Sequence, residues 1–456
     1  MDFKEGVHKS SLRGTIFEHG QEPEDEDRPK RRGRWILVIS VIVLVCLIVG
    51  GVVALRVVQG NAHPAGSARQ TGPGWCVVPV VGLHTNVGVP ELRGIDAVSA
   101  QDIWMVGYLS SQNVHTANQP LIEHWDGASV RVLPGPNAGE NGARLNAITE
   151  IAPDNAWAVG AVLQMPSSSN SLGDFLVGIH TLIEHWDGHA WSIVPSPDGA
   201  SGAHSSNELL SVAADTADDV WVAGTSSQKN VSRALIEHWD GKTWNVVTLP
   251  VSFHAAFLRG IVVPARSDVW VAGASLVPGG QELVPLLAHW DGHQWIQVPG
   301  LAKGFFLLSL RASSPHDIWL SGEIQSGQTA PSGLTVVAHW DGTSLQQQTL
   351  PKLSLQKQQS QYDPSVSIYQ NQVSAFVQSL NDIWVSGGAS GPAQIATTVP
   401  VFIAHWDGQS WKAVSLPQKH AGQLSVLAVV GGKIWVAGTI YTGDQQIPAQ
   451  LVETTC

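Results

Sequence analysis

One two-part motif recurs along most of this chain and dictates what it can fold into. An Asp-Ile/Val-Trp-Val-Ala-Gly-like element places Trp104, Trp157, Trp221, Trp270, Trp319, Trp384 and Trp435 at equivalent positions. A His-Trp-Asp-Gly element follows at His124, His185, His238, His289, His339 and His405. Around each pair lie further short apolar runs, as in Leu145–Ile148 before Trp157 and Trp191–Val194 after Asp187. Four short strands per unit of about 50 residues, separated by Gly and Asp turns, predict an all-β seven-bladed β-propeller with four-stranded blades over residues 75–456. The last unit stops at Leu451–Cys456, short of its fourth strand, while Trp75-Cys76-Val77-Val78-Pro79 matches Trp191-Ser192-Ile193-Val194-Pro195. The N-terminal strand is therefore expected to close the last blade.

The residues before the repeat read differently. Trp35 to Leu55 carry no charge over 21 residues, and a helix of that length matches the roughly 30 Å hydrocarbon core of a bilayer. Arg28, Lys30, Arg31, Arg32 and Arg34 precede it, so the positive-inside bias predicts a cytoplasmic N-terminus and an extracellular propeller, a single-pass type II arrangement in the cell membrane. A cleaved signal peptide would have a shorter apolar core behind a shorter basic start. The expected organisation is a disordered cytoplasmic tail at 1–34, a transmembrane helix at 35–57 contacting the lipid bilayer, a Gly/Pro-rich stalk at 58–74 and the propeller at 75–456. Lys+Arg number 25 against Asp+Glu 37, a formal charge of −12. That balance excludes a nucleic-acid partner held by neutralised phosphates.

The repeated polar residues are expected to serve the scaffold. One His per blade, set tens of ångströms apart around a ring, cannot converge on an ion, so no metal or cofactor is assigned. Asp-Gly is a type I′ turn pair, with the Asp capping turn amides and the Trp packing blade on blade. This reading covers Trp125 and Asp126, Trp186 and Asp187, Trp239 and Asp240, Trp290 and Asp291, Trp340 and Asp341, and Trp406 and Asp407. In the repeat frame Cys76 and Cys456 flank one hairpin turn, which predicts a disulfide sealing the ring.

Loop lengths point to the binding face. Nine positions separate Ile95, Ile148, Val212, Ile261 and Leu310 from the next Trp, and eight separate Phe376 and Leu427 from theirs. At the opposite ends of the strands the Trp-to-Trp spacing varies from 18 to 29, and variable loops on one side of a repeat fold usually mark its binding side. Residues at the start of each first strand should ring the channel mouth there: Glu91, Arg144, Glu208, Phe257, Phe306, Gln372 and Gln423, joined by Tyr108 and Glu323 from second strands. Mixed charge, amide and aromatic groups suit a polar organic ligand.

Asp-Gly-x-x-Trp at the third hairpin resembles a shortened form of the Asp box of sialidases. The pairing of Asp-Ile/Val-Trp-Val-Ala-Gly with His-Trp-Asp-Gly resembles the WD40/YVTN-like propeller repeats of uncharacterised bacterial cell-surface proteins. That resemblance covers residues 75–456 and implies the fold rather than an activity. The expected role is a binding module for a glycan, a peptide or a partner protein, with no catalytic residue assigned. The alternatives are a scaffold subunit of an envelope complex and a surface hydrolase of sialidase type. The hydrolase needs three arginines, a Tyr with a Glu partner and an acid; Arg93, Arg259 and Arg311, with Tyr108, Tyr362, Tyr369 and Tyr441, supply its candidates.

Overall fold

The repeat folds as written: each Trp-Val-Ala-Gly run forms a strand lying between its two chain neighbours in an antiparallel meander. In the second unit, Asn155–Gln164 pairs with Ala143–Ala152 on one side and with Gly178–Trp186 on the other, and Trp191–Ile193 adds the outer edge. The same four-strand order recurs through the chain. The computed structural model describes residues 74–455 with interruptions, chiefly 111–117, 165–177, 325–333, 350–369 and 390–401. All of them belong to one compact unit, Thr71–Cys456. The tail at 1–34, the span at 35–57, and residues 58–73 of the stalk lie outside the described residues. Among those described, no helix is long and apolar enough to cross a membrane.

The molecule is an all-β propeller. Inner strands Val89–Ser99, Ala143–Ala152, Ser205–Thr216, Ala255–Ala265, Phe305–Ser314, Gln370–Ser379 and Ala421–Val430 each pack against the next, and the last packs back on the first. The division into sheets departs from the seven separate blades expected. Among the described residues the strands form six sheets. Five correspond to single blades, and the sixth is eight-stranded. It arises because Ser205 and Ser206 pair in parallel with Gly178 and Ile179, fusing two neighbouring meanders at one end. A two-residue parallel pair, Val80–Val81 with Val130–Arg131, adds a fifth strand to another sheet. The expected closure is present: Trp75, Cys76 and Val77 pair antiparallel with Thr455, Thr454 and Glu453 of the final strand. Cys76 is disulfide-bonded, while Cys456 lies outside the described residues.

Tryptophan seams hold blade to blade. Trp186 of the second unit packs on Trp104 of the first with ring centroids 5.1 Å apart, Trp239 on Trp157 at 5.2 Å, Trp340 on Trp270 at 5.6 Å and Trp125 on Trp435 at 5.0 Å. Trp104, Trp270 and Trp435 are each only 1% exposed. Burying an indole removes roughly 200 Å² of apolar surface from water, about 5 kcal/mol before the entropy of ordering is subtracted.

Each motif histidine packs on the second-strand Trp of its own unit, as with His339 on Trp319 at 4.0 Å, and five of the six hydrogen-bond an acid at the start of that strand. The pairs are His124–Asp102 at 2.6 Å, His238–Asp219 at 2.7 Å, His289–Asp268 at 2.9 Å, and His339–Asp317 and His405–Asp382 at 2.8 Å. In the second unit Asn155 replaces the acid, the contact lengthens to 3.1 Å, and burial lowers the pKa of His185.

The Asp-Gly turns cap as expected but are not type I′. Four residues lie between the paired Trp125 and Val130, with positive φ at Gly127 alone, and Asp126 Oδ1 accepts the amides of Ala128 and Ser129 at 3.0 and 2.9 Å. A two-residue I′ turn would need positive φ at both central positions. Here the carboxylate does part of the work that a second left-handed residue would do.

Candidate ligand site at the inner-strand bulges

The inner strands break register at one recurring place. Leu92 pairs with Gly107 and Gly94 with Val106, so Arg93 is an extra residue on its strand. The same bulge falls at Asn146, Leu210 and Arg259. A bulge kinks the strand and re-aims the side chain that it carries. The glycine opposite permits it: a Cβ on Gly107, Gly160, Gly224 or Gly273 would fall on the carbonyl oxygen of Glu91, Arg144, Glu208 or Phe257. The bulge also resets the alternation, so the core residues flanking it are three apart rather than two. Leu92 and Ile95, Leu145 and Ile148, and Leu258 and Ile261 are all buried.

Residues at and beside the bulges converge on a cavity of about 460 Å³, lined by Arg93, Tyr108, Arg144, Asn146, Ser206, Glu208, Leu210, Thr225, Phe257 and Arg259. That size accommodates a small organic ligand. Arg93 Nη2 donates to Glu91 Oε2 at 2.8 Å and to Tyr108 Oη at 2.9 Å, and Tyr108 Oη donates to the same Glu91 oxygen at 2.9 Å. This triangle fixes all three side chains. Burial works against the charge on Arg93, but Tyr108 and Glu91 outweigh it and its pKa rises; burial foremost raises that of Tyr108.

Across the cavity Arg144 forks onto Glu208, Nε to Oε1 and Nη2 to Oε2, both at 2.8 Å. Asn146 Nδ2 donates to Glu208 Oε1 at 2.9 Å and to the Leu209 carbonyl at 2.8 Å. Arg259 differs from the other two arginines. Its guanidinium carbon lies 4.6 Å from the Phe306 ring centroid and 5.8 Å from that of Phe257. Among the described residues it makes neither a hydrogen bond nor a salt bridge. Desolvation lowers its pKa, Glu208 opposes this, and Arg93 adds to it.

The structure brings together Tyr108, Arg144, Glu208 and Phe257 from the predicted ring as lining residues, with Glu91 tied in through Arg93 and Phe306 beneath Arg259. Their equivalence is visible in the register, where Glu91, Arg144, Glu208, Phe257 and Phe306 each precede the residue paired with a second-strand glycine. The side chains of Gln372, Gln423 and Glu323 lie outside what is described, as do Tyr362 and Tyr369 and the side chain of Tyr441. Arg311 is not among the lining residues; it donates to its neighbour's carbonyl, Leu310 O, at 2.9 Å and interacts with Asp96. The sequence reading did not place Asn146, Ser206, Leu210 or Thr225 at the site, and weighed Arg93 and Arg259 only for hydrolysis. The three-residue spacing of Leu92 and Ile95, repeated in later units, was the signal that could have found the bulged ones.

No protein-family model matches the chain, and no curated protein does. Among solved structures the chain is similar to YCF48 from Cyanidioschyzon merolae, at 11% identity and a TM-score of 0.47 over 84% of this chain and 98% of that one. It is also similar to the GH74 xyloglucanase from Xanthomonas campestris, at 10% identity and 0.46 over 83% and 55%. A Trypanosoma rangeli sialidase follows at 12% and 0.43 over 72% and 56%. These neighbours are propellers too. At this level of likeness no activity, ligand or partner passes to the present chain.

Proposed function

We propose that this chain is a membrane-anchored extracellular propeller that binds a small polar ligand in the cavity at its channel mouth and catalyses no reaction on it. The observation that carries this reading is a preorganised polar cavity whose carboxylates are already satisfied. Glu208, the carboxylate among the lining residues, accepts three N–H donors from Arg144 and Asn146. Glu91, behind the wall, accepts from Arg93 and Tyr108. Neither is placed as a free proton donor, whereas fixed donors are what orient a bound ligand.

The anchor at 35–57, the cytoplasmic N-terminus and the stalk belong to the same proposal, supported by the uncharged run and its basic flank. Counting the eight-stranded sheet as two blades, divided at its two-residue parallel pair, gives seven. The bond at Cys76 is assigned to Cys456, which follows Thr455, the pairing partner of Trp75. Non-reducing peptide mapping should recover one Cys76–Cys456 peptide; a bond to Cys46, or a free Cys456, would refute the assignment.

A hydrolase of sialidase type is the second reading, favoured by one observation: Arg93, Arg144 and Arg259 share a cavity with the Tyr108–Glu91 contact. A glycan and peptide array probed with the full chain in detergent, run beside fluorogenic glycosides, separates the readings. Saturable binding that is lost in the Arg144→Ala/Glu208→Ala double variant, without turnover, supports the binding module. Replacing both partners avoids stranding one desolvated charge. Turnover that disappears in Tyr108→Phe would establish the hydrolase instead. Silence in both assays, with a stoichiometric protein recovered from solubilised membranes, would favour the scaffold.

A further inference from the structure

We infer that the ligand of this cavity carries a single carboxylate, bound by Arg259 above the Phe257 and Phe306 rings; this rests on the binding reading above. Three guanidinium groups line the cavity, and two are matched, Arg93 by Glu91 and Arg144 by Glu208. Among the described residues Arg259 is left over, so their side chains give the cavity one net positive charge inside a chain whose formal charge is −12.

A guanidinium without a hydrogen-bonded counter-ion is costly beside desolvating walls, and among the described residues its close contacts are ring faces, with Glu208 acting on it only through space. Phe306 lies 4.6 Å away, Phe257 lies 5.8 Å away, and the rings are 6.4 Å from each other. A cation–π contact of this kind returns only a fraction of what a carboxylate partner would. With a phenyl ring on one face, the guanidinium keeps its in-plane N–H donors for another partner. Those donors form a planar fork, which a carboxylate matches with two parallel hydrogen bonds.

The remainder of the site fits the rest of such a molecule. The Phe257 ring offers an apolar wall, while Ser206, Thr225 and Asn146 add uncharged polar groups to the lining. Glu208 and Glu91 already hold Arg144 and Arg93, so neither is open to pair with a cationic group. The volume, about 460 Å³, holds one ring and its substituents rather than a polymer. A ligand of this class is a small carboxylic acid with both an apolar face and hydroxyl or amide groups, whether an acid sugar or an aryl acid.

Matched acid and amide probes test this. D-glucuronate against D-glucuronamide, and phenylacetate against phenylacetamide, should be titrated calorimetrically into the full chain in detergent, with inorganic phosphate as a third anion. Each acid is expected to bind at least about tenfold more tightly than its amide, the difference made by one charge-assisted fork. Arg259→Gln should erase that preference while leaving the melting temperature in place, and Arg259→Lys should restore it in part. The glucuronate and phenylacetate arms tell an acid sugar from an aryl acid. Equal affinity for acid and amide, an acid preference that survives Arg259→Gln, or tighter binding of phosphate than of either carboxylate would overturn the inference. Equal binding of acid and amide that is lost in the Arg144→Ala/Glu208→Ala variant would leave the binding module standing while this inference fell. No binding by any probe at millimolar concentration, together with a silent array, would sink both.

Discussion

Between pH 5 and pH 8.5 the propeller should lose about 5 kcal/mol of stability, the reverse of the usual behaviour of a protein rich in carboxylates. Glu123, Glu184 and Glu237 occupy the same place on their third strands, each immediately before the motif histidine, and all are 0% exposed. Burial pushes them up from 4.5 to about 7, about 8 and about 8. Gln450 opposes the rise at Glu123 by donating at 2.7 Å, and at Glu237 the Ser196 hydroxyl opposes it while Asp198 adds to it. Glu184 has no hydrogen-bond partner for either oxygen among the described residues.

The folded state therefore keeps protons that the unfolded chain gives up near pH 4.5. Their contribution is complete below that pH and disappears as the pH climbs through 7 to 8. A tenfold change in proton affinity is worth about 1.4 kcal/mol. Relaxation of the interior reduces the sum over three groups to the few kcal/mol expected here. Other blades place Ala288, Ala338 and Ala404 at this position, all buried, so the site tolerates loss of the carboxyl. Urea unfolding across this pH range should show the slope, and Glu184→Gln should flatten it without weakening the protein at pH 5. A stability that is level or rises toward pH 8.5 would refute the account.

The second large effect concerns the glycines behind the bulges. Gly160→Ala or Gly224→Ala should cost about 3 kcal/mol or more and abolish ligand binding together with it. The new methyl would fall on the carbonyl oxygen of Arg144 or Glu208 and within 2.9 Å of the Cα of Leu145 or Leu209, all backbone atoms that no rotamer change can move aside. Gly178→Ala is the comparison. Gly178 is also a buried strand glycine, but there a Cβ meets its nearest atoms at 3.5 Å, an ordinary contact. Denaturation midpoints for the three variants measure the difference. A Gly224→Ala protein as stable as Gly178→Ala would show that the inner strand does not need its bulge.

That bulge also separates what the sequence made legible from what it did not. The units, the closing strand at Trp75–Val77 and the common position of Glu91, Arg144, Glu208, Phe257 and Phe306 all follow from repeated residues at constant offsets. Backbone pairing simply repeats with them. Arg259 did not stand out as a cavity-lining residue, because period-two alternation describes a regular strand and this strand is not regular. Two of the spacings carried the information in compressed form. Nine positions from Ile95 to Trp104 accommodate one irregularity, at Ala97/Ser99, just after the Leu92/Gly94 bulge. The eight from Phe376 to Trp384 go with a strand whose register runs unbroken from Gln372 to Val377. The eight from Leu427 to Trp435 go with one that keeps the Leu424/Val426 bulge and lacks the irregularity near the turn. The parallel pairing of Ser205 and Ser206 with Gly178 and Ile179 had no periodic signal, since it joins residues at the ends of strands that no repeat relates. The buried glutamates were hidden for another reason: Glu-His-Trp reads as polar until the neighbouring blade is in place.

The ladder formed by Trp75, Cys76 and Val77 on Thr455, Thr454 and Glu453 gives the ring a mechanical property. Any tension applied through the residues that precede Trp75 enters at this seam, where the shortest strand of its sheet pairs with residues near the other end of the described chain. Three residue pairs of backbone ladder would part under a modest pull, opening the circle before any blade deformed. The covalent bond at Cys76 lies within that stretch. If its partner is Cys456, as proposed above, the load would pass the hydrogen bonds by and enter the final strand directly, and the molecule would bear traction on its leading end without coming apart.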